Sequence, residues 1–407
     1  MRQDLDRLMQ ERGIAGIVVL AQDRYTPAMH YVTGQRIVHG VYFRAADGRA
    51  HLIHDPMERD QAALAGCDTS SFPQHELPRL QEEEGSPARA FGRLIGQTCA
   101  ALGMAGPVGF FGEMPAGFAW QMIERAREVH PALVVDRAQP DVLTLARTTK
   151  DEAEIEAIRR SSLATAGAVG DLYAYLRGLR RHGEHFTDGA GRVTLGDLRR
   201  RIHRSFLERG VAEDGESIVA QGRDAGVPHN RGNDAEPLRA GAPVIVDLFP
   251  GEAGGGGYHS DLTRTFVMGR APDDVRRLFQ DVHDAFRAAV DGLRLGAPCR
   301  DANERVCDLF EARGHATLRS RPGTEEGYCH GLGHGVGLAV HEAPRMSGPP
   351  SNTAVLEPGM VITIEPGLYY PSRGMGARIE DLFVVRADGT FENLTPAPYD
   401  FEIEAAG

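Results

Sequence analysis

Long apolar runs are missing from this sequence. No uninterrupted stretch approaches the ~20 residues a membrane-spanning helix needs. The N-terminal MRQDLDRLMQERGIAG carries charges where a secretory signal would carry its apolar core. Cysteine is sparse: Cys67, Cys99, Cys299, Cys307 and Cys329 are scattered, and none forms a CxxC pair. That argues against a disulfide framework and against a thiolate zinc site, and the expectation is reduced thiols in a cytoplasmic protein with no membrane partner. Basic residues are outnumbered, 45 against 57 acidic, for a net charge of −12. A general nucleic-acid binder needs the opposite balance. Tryptophan occurs once, at Trp120, where core packing is expected rather than a substrate platform.

What is present fits a folded enzyme-sized chain. Its 407 residues are 42% hydrophobic, which is ample for packed cores, and the length suggests two to three domains of about 150 residues. Forty-nine glycines and 24 prolines indicate a turn-rich α/β or α+β protein. Leu5, Leu8 and Met9 have helical spacing ended by Gly13, and GIVVL at 16–20 reads as a buried strand. EEEGSPA at 82–88 reads as a solvated loop. The texture changes near Arg147. TTKDEAEIEAIRR carries a helix-start signal, followed by Ile155, Ile158, Ala166 and Val169 on one face with the small Ser162 between them. The chain is therefore divided into an α/β N-terminal domain, 1–146, and a second domain, 147–407. A further amphipathic helix is expected through Val275, Leu278, Phe279, Val282, Phe286 and Val290.

The second domain holds four β-rich runs: PVIVDLF (243–249), LTRTFVM (262–268), MVITIEPG (360–367) and IEDLFVV (379–385). Each carries a carboxylate in or beside an apolar strand, and an unpartnered buried carboxylate is costly. Asp247, Asp261, Glu365 and Glu380, taken one at a time, read as caps, salt bridges or strand ends. Together with His334 they read as ligands sharing cations, and four carboxylates with one imidazole suit a pair of divalent ions of the manganese, cobalt or zinc kind. GEAGGGGYH (251–259) reads as a flexible connection, lacking the Gly-Lys-Ser/Thr end of a phosphate loop. GLGHGVG (331–337) lies too late in the chain, and in the wrong context, for a dinucleotide fingerprint.

The ordered set VDLF, SDLTRTF, HGLGHGVGLAVHE, VITIEPG and RIED resembles the pita-bread metallopeptidases, in particular the proline-directed branch containing prolidase and aminopeptidase P. Residues before it resemble the creatinase-like N-terminal domain of that branch. The resemblance implies an α+β pita-bread catalytic domain and two divalent metal ions, with manganese the first choice and cobalt or zinc as alternatives. It implies Asp247 on one metal, Asp261 and Glu380 bridging both, and His334 and Glu365 on the other. It also implies a metal-bound hydroxide as nucleophile, with Glu365 as proton acceptor. By the same resemblance His229 sits near the scissile carbonyl and leaving nitrogen, and His341 is a transition-state donor. His330 shapes the substrate pocket, Arg378 stands beside the last ligand glutamate, and Arg345 meets a substrate carboxylate. The expected substrates are proline-containing di- or oligopeptides, and the expected assembly is a homodimer. The motif texture leans to an Xaa-Pro dipeptidase, with an Xaa-Pro aminopeptidase as the alternative. A methionine aminopeptidase, a metal-free creatinase-type hydrolase and a non-catalytic binding module are more distant. The interval from Asp247 to Asp261 is longer than in most relatives, so a longer hairpin loop is expected there. His259 is expected in a solvated loop, with a supporting role beside Asp261 as the alternative.

Overall fold

The structure is a computed structural model describing residues 2–213, 217–254 and 257–406. The chain divides into two compact units, Met1–Arg147 and Thr148–Gly407.

The first unit is built on a six-stranded sheet. Its order is Asp68–Ser71, Ala50–His54, His39–Ala45, Gly16–Gln22, Gly106–Phe111, Leu133–Val135. The GIVVL run forms the centre, antiparallel to His39–Ala45 and parallel to Gly106–Phe111. Its Val18 and Leu20 pack with Leu94 and Ile95 of the helix Pro87–Ala101. Two expectations are corrected in this unit. Residues 82–88 are not a loop: the helix Leu77–Glu84 ends at left-handed Gly85, and Ser86 caps the next helix. Glu84 is not solvated either, because its buried carboxylate pairs with Arg125 at 2.6 Å and Arg89 at 3.3 Å. Trp120 is 71% exposed rather than core. On its helix, Ala116–Val129, Met122 and Ala126 take the inward face instead.

The second unit has two principal sheets, each backed by helices. The first has the order Ile218–Gln221, Pro243–Leu248, Leu262–Met268, Glu402–Ile403. It packs against Glu152–Arg177 and Leu195–Glu208 through residues such as Val169, Leu172, Val244 and Phe266. Asp151 and Glu154 form a reciprocal capping box at the start of the long helix. The second sheet has the order Glu342–Arg345, His334–Gly335, Val361–Ile364, Asp381–Val385, Phe391–Asn393. It is backed by Asp273–Asp291 and Arg300–Ala312, with Val282, Phe286, Ile362 and Phe383 in one core. MVITIEPG divides into two strands, Val361–Ile364 and Gly367–Tyr370, on either side of Glu365 and Pro366.

The two sheets meet where Thr263 pairs with Glu380 in an antiparallel bridge. Arg264 pins this junction from behind. Its guanidinium donates to Asp381 Oδ1 and to the Glu380 carbonyl, each at 2.8 Å, in a fully buried setting. Between the Asp247 and Asp261 strands, Gly251–Glu252 pairs with Val211–Ala212. Gly255 and Gly256 of the expected flexible connection lie outside the described residues. No described helix is long and apolar enough to cross a membrane.

Candidate metal centre

The site lies in a cleft of about 530 Å³ at the junction of the two sheets. Five separate segments deliver its side chains. Asp247 comes from the strand Pro243–Leu248 and Asp261 from the residue before Leu262–Met268. His334 opens a two-residue strand, Glu365 follows Val361–Ile364, and Glu380 precedes Asp381–Val385. All five line the cleft, together with His229, His330, His341, Arg345 and Arg378. The structure thus brings every sequence-designated site residue to one cavity.

Asp261, His334 and Glu380 are buried, and one ligand atom from each lies within 4.8 Å of the others. Glu365 Oε1 is 3.3 Å from His334 Nε2, and Asp261 Oδ2 is 3.7 Å from the same nitrogen. The His334 ring is oriented by its own backbone. Nδ1 lies 3.2 Å from the Gly335 carbonyl: a proton on Nδ1 would free the Nε2 lone pair for a cation, whereas without a cation Nε2 carries a proton towards Glu365 Oε1. Small residues permit this geometry. A Cβ on Gly335 would come 2.0 Å from the Ala343 carbonyl oxygen, and one on Gly333 2.2 Å from that of Thr363.

The electrostatics are those of crowded anions. Burial, then the charges of Glu380, Asp247 and Glu365, push the Asp261 carboxyl well above its ordinary range. Burial, then Glu365 and Asp247, do the same to Glu380, although Thr263 donates a hydroxyl hydrogen bond to it at 2.7 Å. Glu365 goes the other way. Burial raises it, but the His334 hydrogen bond and the nearby His330, His334 and Arg378 outweigh that and hold it below its ordinary range. Asp247 is split between its two oxygens. Oδ2 accepts from Arg378 Nη2 at 2.5 Å, while buried Oδ1 has no hydrogen-bond partner. A buried carboxylate oxygen without a hydrogen-bond donor, in a cleft with three more carboxylates and an imidazole, is suited to hold a cation. The donor set, oxygens with one nitrogen, suits hard to borderline divalent metals.

Arg378 and His330 belong to one relay that the sequence alone does not reveal. Arg378 donates to Asp247, to the Tyr369 hydroxyl at 2.6 Å, to Thr263 Oγ1 at 3.2 Å and to the Pro228 carbonyl at 3.4 Å. Tyr369 lies 2.9 Å from His330 Nε2, and His330 Nδ1 lies 2.7 Å from the Gly331 carbonyl. With Nδ1 donating, the Tyr369 hydroxyl accepts from Arg378 and donates to His330. Both ring nitrogens of His330 are thereby engaged within the protein, so it shapes the wall. Tyr369 went unnoticed in the sequence because GLYY looks like any apolar strand; its signal was only its nearness to IEPG.

His229 and His341 are exposed on the cleft wall, and the His341 ring stands edge-on to His334 with centroids 4.3 Å apart. Burial, then neighbouring His334, lowers the pKa of His341. Arg345 is exposed at the rim, opposite His334 in strand register. His259 is half-buried, with Nδ1 3.2 Å from the Phe249 carbonyl and its N–H donated to Gly337. It does not line the cleft.

A two-sheet domain presenting a buried cluster of carboxylates and one imidazole at the sheet junction defines a metal-site hydrolase architecture. Residues 156–387, more than half the chain, match the model of metallopeptidase family M24, and the chain belongs to that family. It is 36% identical over 249 residues to a probable dipeptidase PepE of Mycobacterium tuberculosis, spanning 61% of this chain and 59% of that relative. It is 28% identical over 323 residues to an Xaa-Pro dipeptidase of Pyrococcus horikoshii, spanning 79% and 82%. The structure of an Xaa-Pro dipeptidase from Bacillus anthracis superposes with a TM-score of 0.77 at 23% identity, over 99% of both chains. The fold is therefore the pita-bread fold of M24 peptidases, preceded by an α/β domain.

Proposed function

We propose that this chain is a dinuclear-metal peptidase that cleaves Xaa-Pro bonds, with Xaa-Pro dipeptides as the preferred substrates. The observation that carries the reading is the Asp261–His334–Glu380 cluster beside the unpartnered Asp247 Oδ1, all within one cleft. The two relatives named for dipeptide or Xaa-Pro cleavage support the substrate class. In this reading Asp247, Asp261, His334, Glu365 and Glu380 hold two divalent ions, manganese first, with cobalt or zinc able to substitute. Residues 147–407 form the catalytic domain, residues 1–146 the N-terminal domain, and the protein is a cytoplasmic homodimer.

Bound ions of this kind polarise a carbonyl and lower the pKa of water. The protein's own groups do the rest. Glu365, beside His334 in the cleft, accepts the proton released when water attacks the scissile carbon. His341 and His229, facing the cleft from its exposed wall, donate hydrogen bonds to the developing oxyanion and the leaving nitrogen. The prolyl nitrogen carries no hydrogen in the peptide, so it must gain a proton as it leaves. Arg378 holds Asp247 in place through its 2.5 Å contact and is itself fixed by Tyr369 and Thr263.

The test is hydrolysis of Ala-Pro against Ala-Ala by protein stripped of metal and reloaded with manganese. Cleavage of Ala-Pro that appears on reloading, with two ions bound per chain, is expected. Ala-Ala turnover equal to that of Ala-Pro would remove the proline specificity.

A further inference from the structure

Lys150 is the only lysine in the sequence, all other basic side chains apart from histidine being arginine. It is buried, and its ammonium lies 3.1 Å from Glu342 Oε2, with the two side chains only 2% and 5% exposed. Desolvating two charges of this kind is expensive, and the expense is offset only where the geometry is well satisfied. Here both ends are satisfied. Lys150 Nζ also reaches the Thr148 carbonyl at 3.5 Å, and Glu342 Oε1 accepts the Ala339 N–H at 3.0 Å.

The pair joins two parts of the cleft. The Lys150 backbone N–H donates to the Gly359 carbonyl at 2.8 Å, and Thr149 bridges Met360. Met360 begins the run through Val361–Ile364 to Glu365. Gly359 is left-handed at φ 86°, and a Cβ there would meet the Lys150 carbonyl at 2.7 Å, so close approach of the two backbones is built in. At its other end the ammonium fixes Glu342, the residue after His341. Glu342 closes the turn 337–342 by accepting from Ala339, and the Gly337 carbonyl in that turn accepts from His259, two residues before Asp261. A Cβ on Gly337 would lie 2.5 Å from Glu342 Oε2, so the carboxylate is packed directly on the turn.

We infer that Lys150 is a positioning residue: through Glu342 it holds the turn that presents His341 to the cleft. A flexible partner would not do. The exposed His341 ring rests edge-on to His334, and a histidine on an untethered turn would spend much of its time away from the reacting carbonyl. A misplacement of about 1 Å can cost on the order of 100-fold in rate. The catalytic consequence rests on the proposed peptidase reading, whereas the structural consequence does not.

The experiment uses full-length protein reloaded with manganese and the variants Lys150→Met, Lys150→Arg, Glu342→Gln, His341→Ala and the double variant His341→Ala with Lys150→Met. Glu342→Gln keeps the shape of the pair if Lys150→Met does not fold. Hydrogen exchange is followed in the 336–345 segment, and kcat, KM and metal content are measured on Ala-Pro. Faster exchange in 336–345 is expected for Lys150→Met and Glu342→Gln, with protection kept in Lys150→Arg. The kcat should fall on the order of 100-fold with KM and metal content little changed, and Lys150→Met should add little to His341→Ala. Unchanged exchange in the folded variants, or losses that multiply fully in the double variant, would overturn the inference. If the wild type cleaves no Xaa-Pro peptide, the substrate reading fails and the exchange result alone decides the role of Lys150.

Discussion

Asp247 shows how one side chain can serve two masters. Its Oδ2 is neutralised by Arg378, and its Oδ1 is left buried without a donor. Asp261 and Glu380, lacking an arginine of their own at that distance, are instead pushed towards protonation by burial and by the neighbouring carboxylates. A bound cation would reverse that push, which is why removing a single carboxylate from the cluster should matter more for metal than for folding. Asp261→Ala or Glu380→Ala is expected to lose most bound metal and nearly all peptidase activity, while the thermal stability of the metal-free protein stays equal or rises because like-charge repulsion is relieved. Metal analysis, calorimetric melting and Ala-Pro hydrolysis together check this. Full two-ion content in either variant would remove that residue from the ligand set.

At the scale of elements, the legible parts were those where sequence pattern and environment agree. LTRTFVM became Leu262–Met268, and the apolar stripe from Val275 to Val290 became Asp273–Asp291. The carboxylates in apolar runs pointed to the cleft because burial without a partner is improbable on energetic grounds. What stayed hidden were partners distant in sequence. Arg378 lies 131 positions from Asp247 and Lys150 lies 192 from Glu342. No local periodicity marks such pairs. Residues 82–88 look like a loop because Gly85 and Ser86 stand between acidic and small residues, while in the fold they cap two adjacent helices, with Glu82 and Glu83 exposed and Glu84 paired. A third hidden feature carries a prediction. Beside the edge strand Asp68–Ser71, His51 Nε2 from the adjoining strand Ala50–His54 and His75 Nε2 from the turn Phe72–His75 both approach the Ser70 hydroxyl, at 2.6 and 2.7 Å. One hydroxyl proton cannot serve both, so one imidazole donates to the hydroxyl and the other accepts from it, and the accepting ring is neutral. Burial lowers both pKa values, and at His51 the neighbouring His75 adds to the effect while Asp68 opposes it. A depressed histidine pKa means that the folded state binds fewer protons than the unfolded one. The pair is therefore without penalty above the ordinary histidine range, and stability is lost as pH falls through about 6.5 and below. Melting temperature should drop between about pH 7 and pH 5, and the double variant His51→Gln with His75→Gln should show a shallower drop. An equal drop in that variant would place the acid sensitivity elsewhere.

Over the whole molecule, the net charge of −12 works against capture of a free carboxylate anywhere except beside a local cation. Arg345 offers that cation. It is exposed at the rim of the cleft, opposite His334 in register, and no acidic side chain among the described residues lies within ion-pairing distance of it. A guanidinium can clamp a carboxylate through two parallel hydrogen bonds. In an Xaa-Pro dipeptide that carboxylate belongs to the proline itself, adjacent to the scissile amide, whereas in a tripeptide it lies one residue further out. Distance from the metal-ligand cluster to the rim then becomes a ruler for substrate length. Ala-Pro is expected to be cleaved with higher kcat/KM than Ala-Pro-Ala. Arg345→Ala should cut the Ala-Pro value on the order of 10- to 100-fold, the loss expected for a charge-assisted pair, and leave Ala-Pro-Ala much less affected. Because a uniform loss on both peptides could come from a disturbed strand Glu342–Arg345, the ratio and not the absolute rate is the deciding quantity. An unchanged ratio would take substrate length away from Arg345 and favour the aminopeptidase reading, in which the chain beyond proline continues out of the cleft.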